Sequence, residues 1–159
     1  MNHLHLLSYD QWDAIADAYI PSLLLFSVAT LISQHKRVKN QDWRTGLQHG
    51  GILLVGAAFV YCCMWLDSVF GVWRAMGGDF STHTALSLWC ILFLVWQVHN
   101  GWNKILLLTS WLLYLVLMYL QRYHSIFDML STSLWIFSCT APLLYIYSGQ
   151  RQHKKALPC

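Results

Sequence analysis

Two short polar segments interrupt an otherwise apolar chain, and their residue types suit the movement of protons and phosphoryl groups. The first is Gly77-Gly78-Asp79-Phe80-Ser81-Thr82-His83-Thr84, and the second is Gln121-Arg122-Tyr123-His124-Ser125-Ile126-Phe127-Asp128. His124 and Asp128 stand four residues apart, so on a helix they would share a face. A carboxylate in that place would accept a ring N–H of His124, fix its tautomer and stabilise the imidazolium. The other ring nitrogen would then be free to attack as a nucleophile. His83, from another helix, would protonate a leaving oxygen. Backbone N–H groups of Ser81 to Thr84, at a helix start, would cradle an anion. Arg74 and Arg122 would neutralise its oxygens, with Ser81, Thr82 and Asp79 placed around the same phosphate. Together these residues point to phosphoryl transfer through a phosphohistidine, with His124, His83 and Asp128 as the catalytic trio.

The elements that must position them are membrane helices. The chain has 159 residues, of which 57% are hydrophobic and 11% charged, with a mean hydropathy of +0.43. Soluble domains carry about 25% charged residues, so the composition argues against a soluble domain, a disordered tail or a collagen-like fibre. The 9 Trp, 8 Tyr and 7 Phe suit positions at a membrane–water interface. A spanning helix needs about 20 apolar residues, and five segments meet or approach that length: 14–32, 51–70, 83–98, 104–120 and 126–147. The expected architecture is therefore a single all-α membrane domain over 1–159, a polytopic bundle of about five helices whose catalytic part covers about 51–148. Residues 1–10 lack the basic region of a cleavable signal peptide. Cys62, Cys63, Cys90 and Cys139 lie in apolar runs and read as small core residues.

Charge placement orients the bundle. Lys36, Arg37, Lys39 and Arg44 lie between the first two spans, Lys104 between the third and fourth, and Arg151, Lys154 and Lys155 after the fifth. With five spans all three segments share one face, which the excess of Lys and Arg makes cytoplasmic. The N-terminus is then outside and the C-terminus inside. Asp10, Asp13, Asp17, Asp67, Asp79 and Asp128 fall at or near the outer side, whereas Asp42 is cytoplasmic. Arg74 and Arg122 are the two cations left on the outer side, close to His83 and His124. Isolated cations there are explained by a bound anion or by interfacial snorkelling.

Phe80-Ser81-Thr82-His83-Thr84-Ala85 resembles FPSGHTA, a common form of the second motif of the type 2 phosphatidic acid phosphatase superfamily. Tyr123-His124-Ser125-Ile126-Phe127-Asp128 resembles the end of that family's third motif, SRxxxxxHxxxD. One helical hairpin separates the two segments, as in the family, and Gly78-Asp79 before the first His is similar to sphingomyelin-synthase-like relatives. The resemblance covers roughly residues 61–148. It implies a helical bundle with its site at the membrane–water interface, His124 as nucleophile, Asp128 as its orienting partner, His83 as general acid and Ser81 beside the phosphate. Thr82 stands where the family has Gly, and Leu117 and Met118 where it has Ser-Arg. The family's first motif has no counterpart before His83 apart from Arg74. Arg37 and Arg44 have that motif's cation spacing but fall on the opposite face. The chain has five expected spans where the typical member has six.

These features lead to a lipid phosphatase acting at the outer face of a bacterial inner membrane, on a substrate such as phosphatidic acid, phosphatidylglycerophosphate, a polyprenyl diphosphate or a phosphorylated glycolipid. Its partners are that lipid and the bilayer. Two alternatives follow from the same residues: a lipid phosphotransferase of the same fold, and a non-enzymatic membrane assembly or transport protein. Metal or haem binding is the weaker reading of the eight histidines, because no HExxH or zinc-finger spacing occurs; no metal and no cofactor is expected. Lys36-Arg37-Val38-Lys39 and the tail from Arg151 to Lys155 are explained by topology and anionic head groups rather than by nucleic acid.

Overall fold

A computed structural model describes residues 9–37 and 43–156, with side chains for 11–33 and 45–147. The side chains of Lys36, Arg37, Lys39, Arg44, Arg151, Lys154 and Lys155, on which the expected orientation rests, lie outside that description. So do those of His3, His5, Asp10, Asp42, His153 and Cys159. The described residues form six helices and no strand: α1 Tyr9–Arg37, α2 Trp43–Phe70, α3 Val72–Ala75, α4 Thr82–Gln97, α5 Gly101–Leu120 and α6 Ile126–Ala156. Four stretches are long and apolar enough to cross a membrane: Gln11–Ser33, Thr45–Phe70, Gly101–Leu120 and Ile126–Tyr147. The third expected span, 83–98, corresponds to α4, which has 16 residues. At 1.5 Å per residue it is about 24 Å long, short of the ~30 Å hydrocarbon core.

The short helix is the centre of the bundle. α4 packs against α1, α2, α5 and α6, and its residues Ala85, Cys90, Ile91, Phe93 and Leu94 are fully buried. A helix apolar on every side is stable only when other helices surround it. The four long helices carry their exposed apolar residues outward, among them Leu25, Leu54, Leu113, Leu134 and Tyr145. That distribution is the one expected where lipid, not water, is the solvent.

Specific contacts fix the centre against its neighbours. Trp89 Nε1 donates to the carbonyl of Leu53 at 3.0 Å, and its ring lies so close to α2 that a Cβ on Gly56 would stand 2.0 Å from it. Glycine is required there by close approach of ring to backbone. Trp111 Nε1 of α5 donates to Ser87 Oγ of α4 at 3.2 Å, and Ser81 N–H donates to Thr132 Oγ1 of α6 at 3.2 Å. Such interhelical hydrogen bonds stabilise membrane bundles, by about 0.6 kcal/mol on average.

α3 is a single turn that sequence length alone does not reveal. Gly71, with φ 64°, turns the chain after α2. Asp67 Oδ1 accepts the Trp73 N–H at 2.8 Å, and Trp73 Nε1 donates to Ser131 Oγ at 3.0 Å. The buried Trp73 ring meets Phe80 edge to face at 4.9 Å. The connection from α2 to α4 is thereby pinned onto α6 at the end where both polar segments lie.

Candidate functional site

The start of α6 is built by local hydrogen bonding. Ser125 Oγ accepts the Asp128 N–H at 3.2 Å, and Asp128 Oδ2 accepts the Ser125 N–H at 2.9 Å. This reciprocal pair is a capping box, with the aspartate in the place usually held by Glu or Gln. It satisfies two N–H groups that a helix start otherwise leaves without partners. Its consequence for the site is that the helix begins at Ile126, so His124 stands before it and not on it. The one-turn His–Asp hydrogen bond expected from their spacing does not form. The reason is local: the cap at Ser125 starts the helix at Ile126, two residues after His124.

The second segment is laid against this cap. Asp128 Oδ1 accepts the Asp79 N–H at 2.7 Å. A Cβ added at Gly78 would lie 2.7 Å from the same oxygen and 2.8 Å from the Phe127 ring. Gly77 adopts φ 78°, a turn conformation that glycine adopts without penalty. The two glycines therefore let the loop approach α6, and both oxygens of Asp128 are held by backbone N–H groups. Asp128 is 7% exposed, a carboxylate fixed in place at the N-terminal, positive end of a helix.

Ser81 caps α4. Its Oγ accepts the Thr84 N–H at 3.3 Å and pairs with Thr84 Oγ1 at 2.8 Å, and the side chain is fully buried. The expected cradle of Ser81 to Thr84 is thus narrower than its sequence suggests. Ser81 N–H is given to Thr132 and Thr84 N–H to the cap, which leaves those of Thr82 and His83 for an anion. His83 is exposed on the first turn, and Thr82 is half-buried beside it.

Arg122 is placed by the end of α5. The Arg122 N–H bonds to the Tyr119 carbonyl at 3.0 Å, and the Tyr123 N–H to the Met118 carbonyl at 3.2 Å. Together these make a Schellman motif, whose left-handed position is normally glycine. Here Arg122 takes it, with φ 58°, at a steric cost of roughly 1–2 kcal/mol. Arg122, His124 and Ser125 line a cavity of about 550 Å³ with Tyr119 and Leu120. The Tyr123 hydroxyl, next in sequence, hydrogen-bonds to Asp13 Oδ1 of α1.

His124 is the electrostatic meeting point. Burial pushes its imidazole below the ordinary value of 6.5, and His83 acts in the same direction. The carboxylates of Asp128 and Asp79 oppose them. Three of the expected residues, His83, Asp79 and Asp128, therefore lie within electrostatic reach of a fourth, His124, and Arg122 shares a cavity with it.

Other expected residues are used elsewhere. Arg74 NH2 donates to the Ser68 carbonyl at 3.1 Å, and its side chain lies over Gly71. It satisfies the end of α2, where the last carbonyls lack helical partners. Asp79 gives its N–H to Asp128, and its carboxylate favours a proton on His124. Ser81 is a structural cap. The spacing argument did not find Gly78 or the cap residue Ser125, although Ser125-x-x-Asp128 is itself a capping signature in the sequence. Among the described residues no group of His, Cys, Asp or Glu is arranged to hold a metal ion. No family model, curated protein or solved structure matches the chain.

Proposed function

We propose that the chain is an integral membrane phosphatase of the type 2 phosphatidic acid phosphatase kind, which removes phosphate from a lipid head group through phospho-His124. The observation that carries this reading is the convergence of His83, Asp79 and Asp128 on His124 beside an open cavity with a cation, Arg122. A half-buried imidazole kept neutral is a competent nucleophile, and adjacent carboxylates stabilise the cation formed when it is phosphorylated.

In the first step an imidazole nitrogen of His124 attacks phosphorus and a P–N bond forms. The P–O bond to the lipid breaks, and the leaving oxygen takes a proton from imidazolium His83. Asp128 and Asp79 stabilise the positive charge on phospho-His124. Arg122 and the N–H groups of Thr82 and His83 hold the phosphoryl oxygens. In the second step a water attacks phosphorus and gives its proton to His83, the P–N bond breaks, and phosphate leaves with His124 restored. A lipid or sugar hydroxyl in place of that water gives transfer instead of hydrolysis.

The proposed setting is a bacterial inner membrane crossed five times, with α4 as the short central crossing. The N-terminus and the site lie on the extracytoplasmic side, and the basic loops lie in the cytoplasm. The test is phosphate release from a panel of lipid phosphates in detergent with a chelator present, wild type beside His124→Ala. Release that survives the chelator and disappears in the variant supports the reading. A folded wild type that releases nothing from any substrate overturns it as a hydrolase.

A further inference from the structure

We infer that the groove between α1 and α5 holds an acyl chain of a phospholipid whose phosphate sits in the Arg122–His124 cavity, which names the lipid-binding part of the site and rests on the reading above. The groove has a volume of about 380 Å³. Ile15 and Tyr19 of α1 and Leu113, Leu117 and Leu120 of α5 line it. Leu120 also lines the polar cavity that contains Arg122 and His124, so the apolar and polar spaces meet at one residue. An amphiphile with an anionic head and a hydrocarbon chain matches that order of surfaces.

The groove is built before a lipid arrives. Tyr19 and Tyr114 stack with ring centroids 4.2 Å apart, and Tyr19 OH is hydrogen-bonded to Ser110 Oγ at 3.1 Å. Tyr123 and Asp13 join the α5–α6 turn to the beginning of α1. Head cavity and groove therefore belong to one packed unit, and a preformed site loses less ordering entropy on binding. Both walls belong to stretches long and apolar enough to cross a membrane, so the groove opens sideways to hydrocarbon.

Charge selects this groove over the other large one. A second apolar groove, of about 580 Å³, lies between α2, α3 and α6, and the ionisable carboxyl group on its lining is that of Asp67. Carboxylates lie near both grooves, Asp13 and Asp17 at the first and Asp67 at the second; the difference is the cation Arg122 in the cavity that adjoins the first, and no Lys, Arg or His lines the second. The left-handed conformation of Arg122 points the same way, because a residue kept at a position suited to glycine is expected to serve through its side chain.

The test uses the full chain in phosphatidylcholine vesicles with a phosphonate analogue of phosphatidic acid that carries a diazirine on its acyl chain. The P–C bond resists hydrolysis, so binding is read apart from catalysis. Adducts concentrated on Ile15, Leu113 and Leu117, displaced by phosphatidic acid but not by added phosphatidylcholine, are expected. Arg122→Gln should remove the concentration, and Leu113→Trp should block the groove and remove its adducts while the helical circular dichroism is retained. Adducts spread evenly over the exposed helix faces, adducts confined to the α2–α6 groove, or equal labelling by a diazirine phosphatidylcholine would overturn the inference. Groove labelling without any phosphate release would instead sustain the lipid site and count against the phosphatase.

Discussion

His49 and His124 are both withdrawn from water, at opposite ends of the bundle, and their surroundings differ in kind. His49, near the start of α2, is 2% exposed. Trp96 meets its ring edge to face at 5.0 Å, and Tyr147 does so at 6.1 Å. His124 is half-buried, faces two carboxylates and a second histidine, and borders a cavity. Burial by itself therefore does not mark a site. What sets His124 apart is charge and an open space beside the ring, and the proposed function rests on these and not on burial.

The widest separation between the two is expected on removal of each ring. His124→Ala should lower phosphate release on the order of 10⁴-fold, as loss of a member of a catalytic trio does, with a near-normal melting temperature. His49→Ala should lower stability by about 2–5 kcal/mol, the range for emptying a buried large side chain, with kcat retained in the folded fraction. Parallel thermal melts and phosphate-release assays check both. Equal activity losses in the two variants would erase the comparison.

Gly78 tests whether the backbone around Asp128 matters as much as the acid itself. Alanine there places a methyl 2.7 Å from Asp128 Oδ1, so the loop must move away from α6. A shift of about 1 Å at a reacting centre lowers rates by roughly 10²-fold, and the strain should destabilise the fold by about 1–3 kcal/mol. Gly101→Ala, where an added Cβ meets nothing within 4 Å, serves as the control at the other end and should leave kcat unchanged. Release assays on the two variants decide the point.

These expectations show what the sequence discloses and what it withholds. Hydrophobic length made the long helices legible, but the start of α5 is set by a cap: Asn100 Oδ1 accepts the Trp102 N–H at 2.9 Å, so the helix begins at Gly101 and takes in Lys104. α3 was not legible, since one turn around Trp73 is held by Asp67, Ser131 and Phe80 from distant positions. The residue types of the site were readable, but two patterns overlap at its second segment. HxxxD suggested a helix through His124, whereas SxxD fixed the helix start after it, and the cap decided the geometry because each of its hydrogen bonds satisfies an otherwise orphaned N–H. The direction of Arg74 was hidden for a related reason, since it depends on the carbonyl of Ser68, left over at the end of α2.

Arg122→Gly sharpens the contrast between fold and function within one residue. At φ 58° glycine relieves the left-handed strain, so stability should rise by about 1 kcal/mol. The cation that faces the head group is lost, and KM for a lipid phosphate should increase roughly tenfold, the equivalent of one charge-assisted hydrogen bond. A melt and a substrate titration on the same sample check the opposed signs. A rise in stability with unchanged KM would remove Arg122 from the site.

The smallest effect concerns pH, and its sign follows from the groups that face His124. The nucleophile must be neutral, so kcat/KM should rise with pH along an acid limb. Burial and His83 lower the proton affinity of His124 below the ordinary 6.5, against the opposing pull of Asp128 and Asp79. The midpoint of the limb should therefore lie below 6.5, and lowering the pH from 8 to 6.5 should reduce the rate by less than about twofold. Folding stability linked to this group has the same direction: the unfolded chain takes up the proton first, so the contribution is complete above 6.5 and declines as pH falls from there through the native value. Asp79→Asn removes one of the two groups that raise the proton affinity, and the limb should move to still lower pH. His83→Gln removes a group that lowers it, and the limb should move up. A midpoint above 6.5 in the wild type, or no opposite movement in the two variants, would mean that another group sets the limb and that His124 is not the residue whose charge the site controls.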